Sequence, residues 1–209
     1  MKTTSTTNSE IINAKANTNA TAANVASTNA LSTNVLSSSS ATTASTSTAA
    51  AKAIKRAYTS PMMRKIDLIV IHCSATRCNT NFTPEALDAC HRKRGFNGCG
   101  YHFYITKDGL VHAMRPVHLP GAHARGYNAH SIGICYEGGL NGDGKAQDTR
   151  TILQKSILQS LCGRLKKEFG IKKVVGHRDL SPDLNGDGKI TPNEYMKQCP
   201  CFDVASEDF

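Results

Sequence analysis

The first 57 residues contain no aromatic residue, no glycine and no proline. They are almost entirely Ser, Thr, Asn and Ala, with a few scattered Ile, Leu and Val. So little apolar surface cannot offset the entropy of ordering the chain. This excludes a packed core over residues 1–57 and predicts a disordered low-complexity tail. Also missing is any apolar stretch long enough to cross a bilayer, so no membrane span is expected. The residues after Met1-Lys2 lack the apolar h-region of a secretory signal. That absence points to synthesis in a reducing cytoplasm, with most of the eight cysteines as free thiols. There is no internal repeat, no recognised nucleic-acid-binding motif and no dense basic helix.

What remains, residues 58–209, has the length of one ordinary domain and needs no disulfide framework to fold. The formal charge of the whole chain is +9. Five cations against one acid in the tail account for four of these charges, leaving five on the domain. A basic surface suits an anionic polymer such as a bacterial wall or a nucleic acid, and also serves simple solubility.

Within the domain, Ile66 to His72 (IDLIVIH) is a continuous β-branched run that predicts a buried strand. Thr83-Pro84-Glu85 begins a helix, with Thr as N-cap and Pro at the first helical position, running to about Arg94. Tyr101 to Thr106 and Leu110 to Met114 read as a hairpin about Lys107-Asp108-Gly109. Ser131 to Glu137 is a further strand. Thr149 to Phe169 carries apolar residues at helical spacing, with Gly170 after it, and Lys172 to Gly176 is a short strand. Strands alternating with helices, plus one hairpin, predict a single α/β domain with a central mixed β-sheet flanked by helices.

His72 ends the first strand and His177 directly follows the last. In layered α/β domains such strand ends converge on one rim. With Cys199 as a third donor, the set favours zinc. Three protein ligands leave a fourth position for water, whose pKa would fall toward ~7. On spacing alone, widely separated His and Cys residues are more often structural.

Six blocks then occur in order. They are Ile69 to Thr76 (IVIHCSAT), Gly100 to Phe103 (GYHF), Gly121 to Asn128 (GAHARGYN), Ser131 to Ile134 (SIGI), Gly176 to Asp179 (GHRD) and Lys197 to Asp203 (KQCPCFD). Over about Lys65 to Val204 this resembles the N-acetylmuramoyl-L-alanine amidases, which include amidase-type phage lysozymes and share a fold with peptidoglycan recognition proteins. The resemblance implies zinc on His72, His177 and Cys199, a catalytic tyrosine at Tyr101 and a catalytic lysine at Lys197. It implies hydrolysis of the amide between N-acetylmuramic acid and L-alanine in peptidoglycan, at the cell wall. It places His123 and Asn128 beside the substrate groove. Cys201 remains a competing thiol. His102, adjacent to Tyr101, is expected on the opposite face of a regular strand, as a core or supporting histidine.

Asp183 to Glu194 matches the twelve-residue calcium-loop pattern and departs from the shorter phage enzymes. Calcium would be held by Asp183, Asn185, Asp187, Lys189 (through its main-chain carbonyl) and Glu194. The expected protein is a monomeric enzyme with peptidoglycan as partner. The rivals are a non-catalytic peptidoglycan-binding module of the same fold and, from charge alone, a nucleic-acid-binding protein.

Overall fold

The computed structural model describes residues 64–209. The expected tail, and the first residues assigned to the domain, lie outside the described residues. The central sheet has five strands in the order β4-β3-β5-β1-β7. These are β1 (Leu68–Cys73), β3 (Phe103–Ile105), β4 (Val111–Ala113), β5 (Ser131–Tyr136) and β7 (Lys173–Gly176). β1 pairs in parallel with β5 and β7, and β3 in parallel with β5; only β3 and β4 run antiparallel. The sheet is therefore mixed, as the hairpin predicted. Two-residue strands β2 (Thr76–Arg77) and β6 (Gly139–Leu140) form a separate ribbon. Elements this short leave no periodic trace in sequence.

Helix α1 (Pro84–Lys93) begins as expected: the Thr83 hydroxyl accepts from the Ala86 N–H, with proline at the first turn. Helix α2 (Ile152–Phe169) starts later than expected. Thr151, not Thr149, is its N-cap, in a reciprocal capping box with Gln154, and left-handed Gly170 ends it. Such a cap contributes about 1 kcal/mol. No helix among the described residues is long and apolar enough to cross a membrane.

Side-chain alternation along the strands decides where the site lies. Ile69, Ile71, Phe103, Ile105, Ile132 and Ile134 face α2, whose Ile157, Leu158, Leu161 and Leu165 complete the main core. Tyr104 and Cys135 face the other side, where Leu87 of α1 meets them. His72 shares the phase of Leu68 and Val70 and so points away from α2, toward the α1 side. The C-terminal segment is pinned to the main core by Phe202 and Val204. The buried Arg150 guanidinium lies 3.2 Å over the Phe202 ring and pairs with Asp148 at 2.9 Å.

The sequence expectation for His102 needs correcting. The chain bends there, before β3 begins, so strict alternation does not hold. Tyr101 and His102 both flank the His123 ring, at 6.3 and 5.7 Å between centroids. His102 is fully buried; its Nδ1 accepts from the Gly133 N–H (3.0 Å) and its Nε2 faces the Leu119 carbonyl (3.1 Å). It is thus a structural histidine, as expected, but on the same side as Tyr101.

Burial pushes the His102 pKa down to about 3, with the positive charges of Arg64 and Arg115 adding to the effect against the Leu119 hydrogen bond. An unfolded imidazole titrates near ~6.5, so on acidification the unfolded chain takes up this proton first. Stability present above pH ~6.5 is lost progressively as pH falls toward the folded value. The urea midpoint should fall between pH 6.5 and 5, this group contributing at most ~1.4 kcal/mol per pH unit. His102→Leu, though less stable at neutral pH, should lose stability less steeply across that window. Equal slopes for the two proteins would assign the effect elsewhere.

Candidate metal centre

β1 carries His72 to one rim of the sheet, where it is fully buried. β7, its parallel neighbour, ends at Gly176, and His177 opens a short 3-10 turn to Leu180 at the same rim. The two imidazole centroids are 4.5 Å apart. Cys199 comes to them from the C-terminal segment, its Sγ 3.8 Å from His72 Nδ1. One ligating atom from each of the three residues lies within 4.8 Å of the others.

Several hydrogen bonds hold this third donor. The Cys73 N–H donates to Cys199 Sγ at 3.3 Å, and the Arg178 N–H donates to the Cys199 carbonyl at 2.8 Å. The Tyr136 hydroxyl donates to the Pro200 carbonyl at 2.6 Å, and the Cys199–Pro200 peptide is cis. Cys201 then turns away in a left-handed conformation and places its Sγ 3.7 Å from Cys73 Sγ. Of the two thiols, Cys199 is the one grouped with the histidines.

Burial depresses the pKa of His72 well below the ordinary range, and protonation of His123 or His177, together with the charge on Lys197, would push the same way. Burial, then Lys197, takes His177 down to about 4. Both rings are therefore neutral near pH 7, as metal ligation requires. A tetrahedral zinc with two nitrogens and one sulfur needs donor separations of roughly 3.4–3.6 Å. The observed set closes to this with small side-chain adjustments, so its chemistry fits zinc with one position left for water or substrate.

Two of the donors, His177 and Cys199, line a groove of about 580 Å³ whose walls include Tyr101, Arg94, Phe96, Arg125, Asn128 and Lys197, and His72 is buried behind them. Tyr101 stands 4.9 Å from His72 between ring centroids. Its backbone is fixed from behind, where buried His91 accepts the Gly100 N–H on Nδ1 at 3.1 Å. Burial raises the Tyr101 pKa well above its ordinary value, so the hydroxyl keeps its proton and can donate. Lys197 is exposed on the groove wall. His123 contacts His72 directly, Nδ1 to Nε2 at 3.1 Å. Asn128 Oδ1 accepts from the His123 and Ala124 N–H groups at 2.8 and 2.9 Å. Its carbonyl thus shapes the loop and leaves only the amide NH₂ for the groove.

Comparison with known proteins agrees with this arrangement. Residues 62–201 match the family model described as N-acetylmuramoyl-L-alanine amidase. The chain belongs to the N-acetylmuramoyl-L-alanine amidase family. It is 34% identical to the endolysin of Escherichia phage T7 over 138 residues, covering 66% of this chain and 82% of the endolysin. An uncharacterized protein of Haemophilus influenzae is 50% identical over 99 residues, 47% of this chain and 85% of that protein. The solved N-acetylmuramoyl-L-alanine amidase LysCS of Clostridium intestinale superposes with a TM-score of 0.51 at 30% identity, covering 68% of this chain and 80% of that one. Peptidoglycan recognition protein-LE, solved with tracheal cytotoxin, shares the fold at 20% identity and a TM-score of 0.50, covering 68% of this chain and 77% of its own.

In this amidase the calcium expectation finds no support. The group of metal-ligating side chains that the described residues bring together is His72, His177 and Cys199. The loop's carboxylates accept hydrogen bonds from its own backbone. Asp183 accepts from Gly186 and Gly188 (2.7 and 2.8 Å), and Asp187 from Lys189 (2.8 Å). Glu194 accepts from Leu184 (2.9 Å) and Thr191 (2.7 Å). Asn185 Oδ1 accepts from Asp187 at 3.0 Å. Asx turns of this kind arise from the same residue types as the calcium-loop pattern. Below the loop, Ser181 Oγ accepts the Met196 N–H at 3.1 Å and returns the chain to the site just before Lys197. Sequence reasoning missed Arg94 and Phe96 as groove residues. They follow the last turn of α1, and no sequence period signals which way a helix exit turns.

Cys199→Ser should abolish tight binding of Zn²⁺ or Co²⁺, and the Co²⁺ form should lose its thiolate charge-transfer band. Cys201→Ser should bind metal as the parent does and keep that band. The reverse pattern would exchange the roles of the two thiols.

Proposed function

We propose that this amidase hydrolyses the amide bond between N-acetylmuramic acid and L-alanine in peptidoglycan, using zinc held by His72, His177 and Cys199. The observation that carries the reading is the convergence of two neutral imidazoles and one sulfur at the floor of a groove that presents Tyr101 and Lys197. When bound, zinc supplies Lewis acidity at the carbonyl and activates water for attack.

The chain's own groups do the rest. The protonated Tyr101 hydroxyl donates toward the lactyl carbonyl oxygen as negative charge develops on it. The Lys197 ammonium adds positive charge at the same place. It sits at the solvent edge, so it acts without the cost of burying a cation. The C–N bond breaks, and the departing L-alanine nitrogen takes up a proton that Tyr101 is placed to relay. Arg94 and Arg125 make the groove wall cationic, which favours a stem peptide with free carboxylates. Together the residues from about 58 to 209 form the catalytic unit, acting as a monomer on the wall.

Mass spectrometry of purified peptidoglycan after digestion with the zinc-loaded protein checks the reaction. Stem peptides with a free N-terminal alanine, and glycan strands otherwise intact, are expected. Tyr101→Phe and Lys197→Ala should each lower kcat by roughly 10²-fold or more, the usual cost of one oxyanion-stabilising group. Binding of stem fragments should be nearly unchanged. A folded, zinc-loaded protein that binds peptidoglycan and releases no product would instead make it a binding module.

A further inference from the structure

His123 occupies a place built for its ring. A methyl group on Gly121 would fall 2.3 Å from His123 Cδ2, and one on Gly133 would fall 2.5 Å from the same atom. Two separate segments thus leave out a side chain to admit one imidazole. The loop carrying it is fixed by Asn128, whose Oδ1 takes the backbone N–H of His123 itself.

The hydrogen bonds around this ring have only one consistent direction, which can be followed from its far end. The Tyr127 carbonyl can only accept, and it takes the single Ser131 hydroxyl proton at 2.7 Å. Ser131 is fully buried, so its oxygen is left as an acceptor for His123 Nε2, the long member of the chain at 3.4 Å. His123 then carries its proton on Nε2 and offers the Nδ1 lone pair. Its Nδ1 lies 3.1 Å from His72 Nε2, which must be the donor. Neutral His72 therefore holds its proton on Nε2 and leaves Nδ1 bare, and Nδ1 is the atom 3.8 Å from Cys199 Sγ.

We propose that His123 is a positioning residue: through the chain Tyr127–Ser131–His123 it locks His72 into the tautomer and ring orientation that presents Nδ1 to the metal. This rests on the reading that His72, His177 and Cys199 hold zinc. The opposite tautomer would put a proton where the ligand lone pair must be. Outer partners of this type typically govern metal affinity by 10–100-fold. The role also accounts for a half-buried imidazole on the groove wall whose Nδ1 is turned to another histidine.

The test compares zinc affinity by chelator competition in the parent, His123→Leu, which removes the acceptor, and His123→Asn, whose carbonyl oxygen lies near the position of Nδ1. His123→Leu should bind zinc 10–100-fold more weakly and His123→Asn should recover most of that loss. Parent-like affinity in folded His123→Leu, or equal losses in both variants, would overturn the proposal. An independent readout needs no variant: in ¹⁵N-labelled, zinc-loaded parent protein, His72 should be protonated at Nε2 with that proton hydrogen-bonded to His123 Nδ1. Zinc on His72 Nε2, with the proton on Nδ1, would overturn the proposal and leave the metal centre standing. A parent that takes up no zinc would remove both.

Discussion

The amide of Cys73 donating to the sulfur of Cys199 joins the first strand of the sheet to the last segment of the chain. The residues on either side of that bond are the ones that matter: His72 precedes the donor, and Lys197 lies just before the acceptor. The N–H···S bond fixes the position of that sulfur beside the histidines. The fold around it supplies the leverage. Parallel pairing of β1 with β7 sets His72 and His177 at one rim, and Phe202 buried under Arg150 holds the far side of the Cys199 segment.

Burial and charge act on this site in a coordinated way. The imidazoles of His72 and His177 are kept neutral by desolvation and by Lys197, while Tyr101 is kept protonated by desolvation. The same low-dielectric environment therefore prepares lone pairs for a metal and a proton for an oxyanion. The cost falls on a cluster of buried histidines, His72, His91 and His102 among them, none of which can charge without loss of stability.

Much of this was legible in the sequence, for identifiable reasons. The IDLIVIH run, the Thr83-Pro84 cap and the apolar spacing of α2 are strong local signals, and tertiary packing had no cause to overrule them. The mixed sheet followed from one hairpin among parallel crossovers. His72, His177 and Cys199 were found through ordered motif blocks and strand ends; spacing alone left them ambiguous. What escaped was information held in three dimensions. His123 lines the groove that its loop was expected to border, but the contact of its Nδ1 with His72 left no trace in the sequence. The bend at His102 broke a strict period-two reading. The calcium pattern in Asp183–Glu194 is met equally by a loop that satisfies its own backbone. Gly121 and Gly133 are quiet in sequence, and only the His123 ring pressed between them explains why both lack a side chain.

X-ray absorption at the zinc edge reads out whether His72, His177 and Cys199 form one zinc site. One zinc per chain is expected, with a single sulfur at about 2.3 Å and imidazole nitrogens at about 2.0–2.1 Å. A first shell with no sulfur, or with two sulfurs from Cys199 and Cys201, would contradict it.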